Sequence, residues 1–265
     1  MSNYQNLLVE TLEENILRIM LNRPQVMNAL NKTTLEELLG AFQNEASQPN
    51  IRCIILGGVG KAFCAGQDLD ERRAFAEGGE RPSLQQSLEL RYNPLIKLIN
   101  ELPKPVIGML NGVAAGAGCG LALACDMRLA SPAASLMLSF VKVGLGLDSG
   151  VSYTLPRLLG MGRAFELAIL GERISAHEAE KSGIINRVVE PDQLENETLG
   201  LARRIALGPP QAIARIKKAL NYSQTATLAA ALQNEAILQE EAAQGQEYPK
   251  GLRAFYAKRP PNFSI

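Results

Sequence analysis

The stretch VIGMLNGVAAGAGCGLALAC, residues 106–125, contains no charged side chain. An apolar run of this length can span a lipid bilayer. Its frequent glycines, Asn111 and the flanking Pro103 and Pro105 oppose that interpretation, because they interrupt a continuous helix. The pattern instead predicts a buried strand at Val106–Leu110, then a glycine loop, then a buried helix, and no membrane span.

Apolar strands and amphipathic helices alternate around this stretch. Strands are predicted at Leu7–Thr11, Ile16–Leu21 and Cys53–Leu56, and the last of these is of the fully buried, parallel type. A helix is predicted over residues 33–48, with Thr34 at its start. This alternation indicates an α/β protein.

The pattern changes after Gly208-Pro209-Pro210. Residues 211–245 are helix formers with few breakers, and a short tail follows. We therefore divide the chain into an α/β core, residues 1–205, and a C-terminal helical region, residues 206–265. A helical appendage of this kind often packs on a neighbouring copy of the same chain.

Two glycine loops each follow an apolar strand: AFCAGQDL, residues 62–69, and NGVAAGAGCG, residues 111–120. Small residues let backbone N–H groups approach a ligand, and a helix start adds donors and a positive dipole end. Two such loops can direct two N–H groups at one developing oxyanion, and one such donor lowers a barrier by roughly 3 kcal/mol. Alternatively, the glycines only permit tight packing. A dinucleotide site at residues 116–120 is disfavoured, because Asp126 follows too soon to bind a ribose.

Asp148 stands in the apolar run GLGLDSG, residues 144–150. Between Glu101 and Glu166 the only other acidic residue is Asp126, which ends the predicted buried helix and is interpreted as structural. Burying a lone ionised carboxylate costs several kcal/mol. Such a group is therefore either hydrogen-bonded structure, here a helix cap, or a proton-transfer group with a raised pKa.

Composition excludes several classes of function. The 27 basic and 27 acidic residues give zero formal net charge, which argues against nucleic acid or an anionic membrane as the main partner. The single histidine, His177, follows Ser175, the predicted cap of a helix, and leaves most zinc sites and Ser-His-Asp triads without imidazole. The cysteines form no CxxC pair and predict buried thiols in a reducing cytoplasm; they are Cys53, Cys64, Cys119 and Cys125.

Taken together, these motifs resemble the crotonase superfamily of enoyl-CoA hydratases and isomerases. The resemblance covers nearly the whole chain. The matching segments are Asn22-Arg23-Pro24, Asn28-Ala29-Leu30, residues 63–69, residues 103–107, residues 111–120, Cys125-Asp126, Leu155-Pro156-Arg157 and residues 254–259.

The resemblance implies a spiral of ββα units with a C-terminal helical trimerisation region, and hence a homotrimer or a hexamer made of two trimers. It also implies an acyl-CoA thioester as substrate and no separate cofactor, because coenzyme A is part of that substrate. By position, the backbone N–H groups of Gln67 and Ala117 would hold the thioester oxygen.

The same resemblance assigns residues to the coenzyme A moiety. Ala65, Asp68 and Leu69 would line the adenine pocket through their backbone. Phe255 and Lys258 resemble tail residues that reach coenzyme A, often from a neighbouring subunit, and a lysine suits a phosphate on charge grounds.

Family hydratases carry two glutamates, at positions that are Gly120 and Phe140 here. Hydration needs one group to activate water and another to deliver a proton. Family isomerases place a single acid a few residues later, where Asp148 stands. We therefore expect an isomerase that shuttles one proton, with a hydratase and a non-catalytic CoA- or RNA-binding protein as alternatives.

Within the superfamily, the chain most resembles the 1,2-epoxyphenylacetyl-CoA isomerases of bacterial phenylacetate degradation, which rearrange a ring epoxide and also shift double bonds. It departs from them at Leu147 and Val151, where that group usually has proline and glycine. The shared segments are residues 63–69, 92–95, 113–118, 140–145 and 148–150, and the tail through Arg259.

Overall fold

The computed structural model describes residues 4–263. These residues form ten strands: β1 Leu7–Leu12, β2 Ile16–Leu21, β3 Cys53–Gly58, β4 Ala62–Cys64, β5 Val106–Leu110, β6 Val113–Ala115, β7 Met127–Ala130, β8 Ser135–Met137, β9 Arg173–Ser175 and β10 Arg187–Val188. The α-helices are α1 Lys32–Gln43, α2 Arg73–Ala76, α3 Leu84–Ser87, α4 Asn93–Glu101, α5 Ala117–Ala124, α6 Val151–Leu159, α7 Met161–Leu170, α8 Ala176–Lys181, α9 Leu194–Ala206, α10 Pro210–Ser223, α11 Leu228–Ala243 and α12 Glu247–Tyr256.

The strands form two sheets that the chain visits alternately. One sheet has the order β1-β2-β3-β5-β7-β10, and the other has the order β4-β6-β8-β9. Strands β3, β5 and β7 lie in the first sheet, and each is followed by a strand of the second sheet and then by helix. This repeat is a spiral of ββα units, so the predicted fold class is confirmed.

Strands β3 and β5 lie in the middle of the larger sheet and pair in parallel, with Ile54 opposite Val106. Every residue of both strands is buried, because both faces of the sheet are covered. Ile54 and Leu56 face the main core. Cys53 and Ile55 point the other way and pack beneath α9.

The stretch of residues 106–125 divides into β5, β6 and α5. Residues 113–115 were expected in a loop but form β6, which pairs with β4 and β8. The first glycine loop likewise begins as strand β4 rather than as loop. Across residues 4–263, the helices are all too short or too polar to cross a membrane.

Helix α1 begins earlier than the sequence predicted. Its cap is Asn31, whose Oδ1 accepts the Thr34 N–H at 2.8 Å, so Thr34 lies inside the helix. Both side chains can cap a helix, which is why the local sequence did not separate them. The helix is amphipathic as predicted: of the four apolar residues expected on one face, Leu35, Leu38 and Phe42 are buried and Leu39 is partly buried.

The C-terminal region divides into α10, α11 and α12. Thr227 caps α11 by accepting the Ala230 N–H at 3.3 Å. Helix α10 contacts the α/β core through Lys217, whose Nζ donates to the carbonyl oxygens of Ile99 at 2.9 Å and Lys104 at 3.2 Å. The division of the chain at residue 206 stays a prediction.

Candidate active site

The two glycine loops contact each other along helix α5. A Cβ on Gly66 of the first loop would lie 2.6 Å from the Ala115 oxygen and 3.4 Å from the Ala117 nitrogen. A Cβ on Gly118 would lie 2.3 Å from the Cys64 oxygen. Only glycine permits such approaches of one backbone to another. The glycines therefore place the first loop directly against the start of α5.

The N–H groups of Gln67 and Ala117 are both oriented away from their local backbone partners. In the first loop, the Leu30 N–H donates to the Gly66 oxygen at 2.7 Å and the Asp68 N–H donates to the Leu30 oxygen at 3.0 Å. Backbone groups alternate in direction along an extended chain, so the Gln67 N–H faces away from Leu30. Ala117 is the first residue of α5 and has no acceptor within its helix. Neither N–H donates a hydrogen bond to the described part of the chain.

Gly116 sets the direction of the second amide. Its φ of 49° and ψ of −124° lie where residues with a Cβ are strained. Its own N–H donates to the Met137 oxygen at 2.9 Å, which ties the turn to β8. The Ala117 N–H consequently points out at the positive end of the α5 dipole.

The segment that carries Asp148 packs against α5 one helical turn beyond Ala117. Gly120 follows Ala117 by three residues and shares its helix face. A Cβ on Gly120 would lie 2.4 Å from Ser149 Cβ and 2.8 Å from the Ser149 oxygen. Ser149 has a left-handed φ of 51°, and its hydroxyl donates to Asp148 Oδ1 at 2.8 Å. The contact between Gly120 and Ser149 therefore brings Asp148 to the site.

The interpretation of Asp148 as a helix cap is wrong. Helix α6 begins at Val151 with Gly150 as its cap residue, and no described side chain accepts a capping hydrogen bond there. The backbone oxygen of Asp148, not its carboxylate, accepts the Val151 N–H at 3.0 Å. Burial raises the pKa of Asp148, and the hydrogen bond from Ser149 opposes that rise. The carboxylate is thus half-buried and suited to accept a proton.

Two residues brace the first loop, and the sequence had assigned a role to neither. Arg23 Nη1 donates to Asp68 Oδ2 at 2.8 Å, and the two side chains are only 14% and 11% exposed. Asn28 Nδ2 donates to the oxygens of Val59 at 3.0 Å and Ala62 at 2.8 Å. Both residues lie in segments that carry the family resemblance, and that is the feature of the sequence that could have identified them.

Two of the predicted adenine-pocket residues, Ala65 and Asp68, already use their backbone N–H groups within the fold. The Ala65 N–H donates to the Met27 oxygen at 3.0 Å. The Asp68 carboxylate pairs with Arg23 and also accepts the Asp70 N–H at 3.2 Å. Leu69 has an exposed side chain. The side chain of Asp68 is therefore already occupied by structural contacts.

Within one chain, the predicted tail residues Phe255 and Lys258 are not linked to the glycine loops by any described hydrogen bond, ion pair or ring contact. Phe255 is exposed and packs edge-on against Tyr256, with ring centroids 5.6 Å apart. Among residues 4–263, neither Phe255 nor the side chain of Lys258 forms a hydrogen bond, ion pair or ring contact with either glycine loop. Their expected role stays a prediction.

Glu71, which follows the first glycine loop, is a second carboxylate to compare with Asp148. Glu71 and Asp148 both act electrostatically on the phenol of Tyr92. Glu71 is exposed, and its Oε1 accepts the Lys32 N–H at 3.0 Å. The two hydratase positions themselves hold Gly120, closed off by Ser149, and a buried Phe140.

The residues expected to have no chemical role fit their structural assignments. Cys64 and Cys119 are buried free thiols, and burial raises the pKa of each to about 12, so neither is a ready nucleophile. His177 follows Ser175, which forms a capping box with Glu178 at the start of α8. The imidazole is exposed.

The fold defines the class of protein to which the chain belongs. The crystal structure of an enoyl-CoA hydratase from Bacillus anthracis superposes with a TM-score of 0.92 at 36% sequence identity, covering 98% of this chain and 99% of that chain. The architecture is therefore that of the crotonases.

Sequence comparison gives the family. The profile of the enoyl-CoA hydratase/isomerase family matches residues 11–264, and the chain belongs to that family. It is 40% identical over 252 residues to the 1,2-epoxyphenylacetyl-CoA isomerase of Escherichia coli, covering 95% of this chain and 96% of that protein. It is also 40% identical over 253 residues, 96% of each, to a protein of Rhodobacter capsulatus named "Probable enoyl-CoA hydratase". The names of its relatives thus include both activities.

Proposed function

We propose that this protein is an acyl-CoA isomerase in which Asp148 is the acid/base group. The observation that carries the proposal is the contact between Gly120 and Ser149. It leaves no space for a side chain at the first hydratase position, and it places a half-buried carboxylate beside that position instead.

In the proposed mechanism, the thioester oxygen accepts hydrogen bonds from the N–H groups of Gln67 and Ala117. The Asp148 carboxylate takes a proton from the α or γ carbon of the acyl chain, and the two amides hold the resulting dienolate oxygen. Protonated Asp148 then returns the proton two carbons away. The double bond moves, no water is consumed, and the carboxylate is regenerated.

The rate enhancements expected from a positioned general base and from two oxyanion donors are large enough for this proton transfer. A positioned general base contributes about 10²–10⁴-fold, and each oxyanion donor contributes roughly 3 kcal/mol. The raised pKa of Asp148 makes its carboxylate a stronger base than that of an exposed aspartate.

We further propose a ring epoxide of the phenylacetyl-CoA type as one substrate. The similarity to the Escherichia coli isomerase supports this choice. Leu147 and Val151, the positions where this chain departs from that group, flank Asp148 and are the residues that we expect to tune the acyl group accepted. The substrate supplies coenzyme A, so we expect no separate cofactor.

A hydratase is the second candidate, and Glu71 is the observation that favours it. Hydration needs two acid/base groups, and Glu71 with Asp148 are two carboxylates around one region. Its exposure and its hydrogen bond from the Lys32 N–H make Glu71 less suited to proton transfer than Asp148.

The deciding assay offers the purified protein a 3-enoyl-CoA and crotonyl-CoA under the same conditions. We expect conversion of the first to the 2-enoyl form and much slower hydration of the second, with Glu71→Gln close to wild type in both. Faster hydration that Glu71→Gln abolishes would replace the isomerase by the hydratase. Tight binding of acyl-CoA without any turnover would favour the non-catalytic alternative.

We also propose that the chain assembles in the cytoplasm as a trimer or as a hexamer of two trimers. Apolar side chains are exposed along α7 and α10, among them Met161, Phe165, Ile216 and Leu220, and surfaces of this kind usually mark interfaces. In such an assembly Phe255 and Lys258 would reach the coenzyme A of a neighbouring subunit. Light scattering of the eluted protein measures the state, and a monomeric mass would contradict it.

A further inference from the structure

Tyr92 stands at an irregular turn just before α4. Residues Leu88–Tyr92 form a π-helical turn, closed by the Asn93 N–H donating to the Leu88 oxygen. Pro94 follows; it has no N–H, and its ring excludes a regular turn around the carbonyl four residues earlier. The wide turn is therefore a consequence of the sequence, and such turns are frequent at functional sites.

The hydroxyl of Tyr92 is buried without a partner. The residue is only 5% exposed, and among residues 4–263 its Oη forms no hydrogen bond. Leaving a buried hydroxyl unpaired costs stability, and most buried polar groups avoid that cost. Phenylalanine would fill the same space without it. The fold alone therefore gives no reason for the hydroxyl.

The Asp148 segment packs on the helix that continues from Tyr92. A Cβ on Gly150 would lie 3.1 Å from Cγ2 of Ile96. Ile96 is four residues beyond Tyr92, so the two side chains lie on the same face of α4 and of the turn before it. Tyr92 is thus brought to the same side of the molecule as Asp148.

The phenol of Tyr92 is near charged groups from both sides of the candidate site. Burial raises the pKa of Tyr92; the Asp148 carboxylate, Cys64 and Glu71 raise it further, and Arg72 lowers it. Cys64 belongs to the first glycine loop, and Asp148 to the opposite side of the site. The phenol of Tyr92 therefore lies within electrostatic range of both Asp148 and the first glycine loop.

Arg72 is held beside that loop by Gln67. With the amide oxygen of Gln67 turned toward the guanidinium, Oε1 accepts from Arg72 Nε and Nη2 at 2.8 Å each. The guanidinium is thereby paired, and the Tyr92 hydroxyl is left as the neutral, unpaired donor of the group.

We propose that Tyr92 is a specificity-determining residue whose hydroxyl donates a hydrogen bond to an oxygen atom on the acyl group of the substrate. This inference rests on the proposed function, since it assumes that an acyl-CoA occupies the site. An epoxide or hydroxyl oxygen on the acyl group accepts a hydrogen bond from the Tyr92 hydroxyl, whereas a hydrocarbon chain leaves that hydroxyl without a partner. Sites built to pair a polar group discriminate strongly against ligands that lack it. The site consequently favours oxygenated over hydrocarbon acyl-CoA thioesters.

The test compares Tyr92→Phe with wild type on two substrates, 1,2-epoxyphenylacetyl-CoA and 3-hexenoyl-CoA. We expect kcat/KM for the epoxide to fall about 10–100-fold, as for loss of one well-placed hydrogen bond, and kcat/KM for the hydrocarbon to stay within about twofold. The matched control is Tyr222→Phe, which removes a hydroxyl from an exposed tyrosine on α10 and should change neither value.

Equal losses on both substrates would overturn the proposal, because Tyr92 would then act through Asp148 or through folding. No loss on either would overturn it as well. Binding gives a readout that needs no turnover: the Kd values for 2-hydroxyphenylacetyl-CoA and phenylacetyl-CoA, measured for Asp148→Asn with and without Tyr92→Phe. A preference for the hydroxylated ligand that Tyr92→Phe removes supports Tyr92 even if the isomerase mechanism fails, and equal binding, or a preference that survives Tyr92→Phe, contradicts it.

Discussion

Asp126 and Asp148 are consecutive acidic residues along the chain, yet their surroundings are opposite. Asp126 Oδ2 accepts hydrogen bonds from Lys217 Nζ and from the Val106 N–H, each at 2.8 Å. The side chains of Asp126 and Lys217 are 26% and 10% exposed. Burial raises the pKa of Asp126, and Lys217 opposes that rise.

Asp148 has one neighbour of this kind, the Ser149 hydroxyl, and no described cation pairs with it. A carboxylate whose oxygens are occupied by a lysine and a backbone amide holds elements together. One with a single hydroxyl partner keeps lone pairs that a substrate proton can reach. Sequence context alone made both residues lone acids in apolar surroundings, and their partners distinguish them.

The largest expected effect is the loss of turnover in Asp148→Asn. Removing the general base should lower kcat for double-bond migration by about 10²–10⁴-fold, with the circular dichroism spectrum unchanged. Asp126→Asn is the matched control, and it should keep most of the wild-type rate. If Asp126→Asn lost as much activity as Asp148→Asn, the contrast between the two carboxylates would not hold.

The next largest expected effect is on kcat, from a substitution of Gly120 on the face of α5 that contacts Ser149. Gly120→Ala puts a methyl where Ser149 stands, so we expect Asp148 to shift and kcat to fall about 10²-fold, as for a displacement of about 1 Å. Gly200→Ala is the control, because Gly200 lies within α9 with open space around it. It should instead stabilise the protein by about 0.5–1 kcal/mol. A fully active Gly120→Ala would show that Ser149 does not position the base.

Asp126→Asn should change stability rather than rate. Breaking its partly buried pair with Lys217 is expected to cost about 2 kcal/mol of unfolding free energy, between the values for surface and fully buried pairs. Urea denaturation measures this cost. Lys217→Met, which also loses the charge, tests the same pair from the other side, and an unchanged midpoint in both variants would assign no structural role to Asp126.

The smallest effect is the pH dependence of Asp148 itself. Its pKa is raised by burial, so kcat/KM should fall on acidification at a pH above the ordinary value of an aspartate. The same shift means that Asp148 favours the folded state only when protonated. That contribution is fully present below the unfolded pKa of about 3.9 and is lost as pH rises through the folded pKa.

Asp148→Asn should therefore melt at the same temperature as wild type at low pH and slightly higher near neutral pH, by up to a few degrees. Differential scanning calorimetry at several pH values checks this sign. A lower melting temperature at neutral pH would mean that ionised Asp148 stabilises the fold, contrary to its raised pKa.

Much of the fold followed from local pattern. The buried parallel strands and the apolar face of α1 were predicted because side-chain period and glycine position are local properties. The ββα spiral was implied by the resemblance to the crotonases. The start of α1 was placed too late, since Asn31 and Thr34 are both good caps. Strand β6 was missed because three small residues in a glycine loop carry no strand signal of their own.

Less of the candidate site was predictable. The glycine loops and Asp148 could be selected from the sequence because the spacing of residues in a motif can be read without a structure. The bracing by Arg23 and Asn28, the nearness of Glu71 and the unpaired hydroxyl of Tyr92 could not, since each depends on residues far apart in the chain. Tyr92 lay within a segment shared with relatives, but nothing in that segment indicated where its hydroxyl points.

The sequence by itself determined the α/β class and, through its motifs, the family, and it selected the residues that we propose for an oxyanion site and a base, because composition, periodicity and motif spacing are written along the chain. Only the tertiary structure decided which of two lone carboxylates is paired and which is free. The physical reason is that a carboxylate's role is set by the donors within hydrogen-bond distance, and those of Asp126 come from Val106 and Lys217, on opposite sides of it in the sequence.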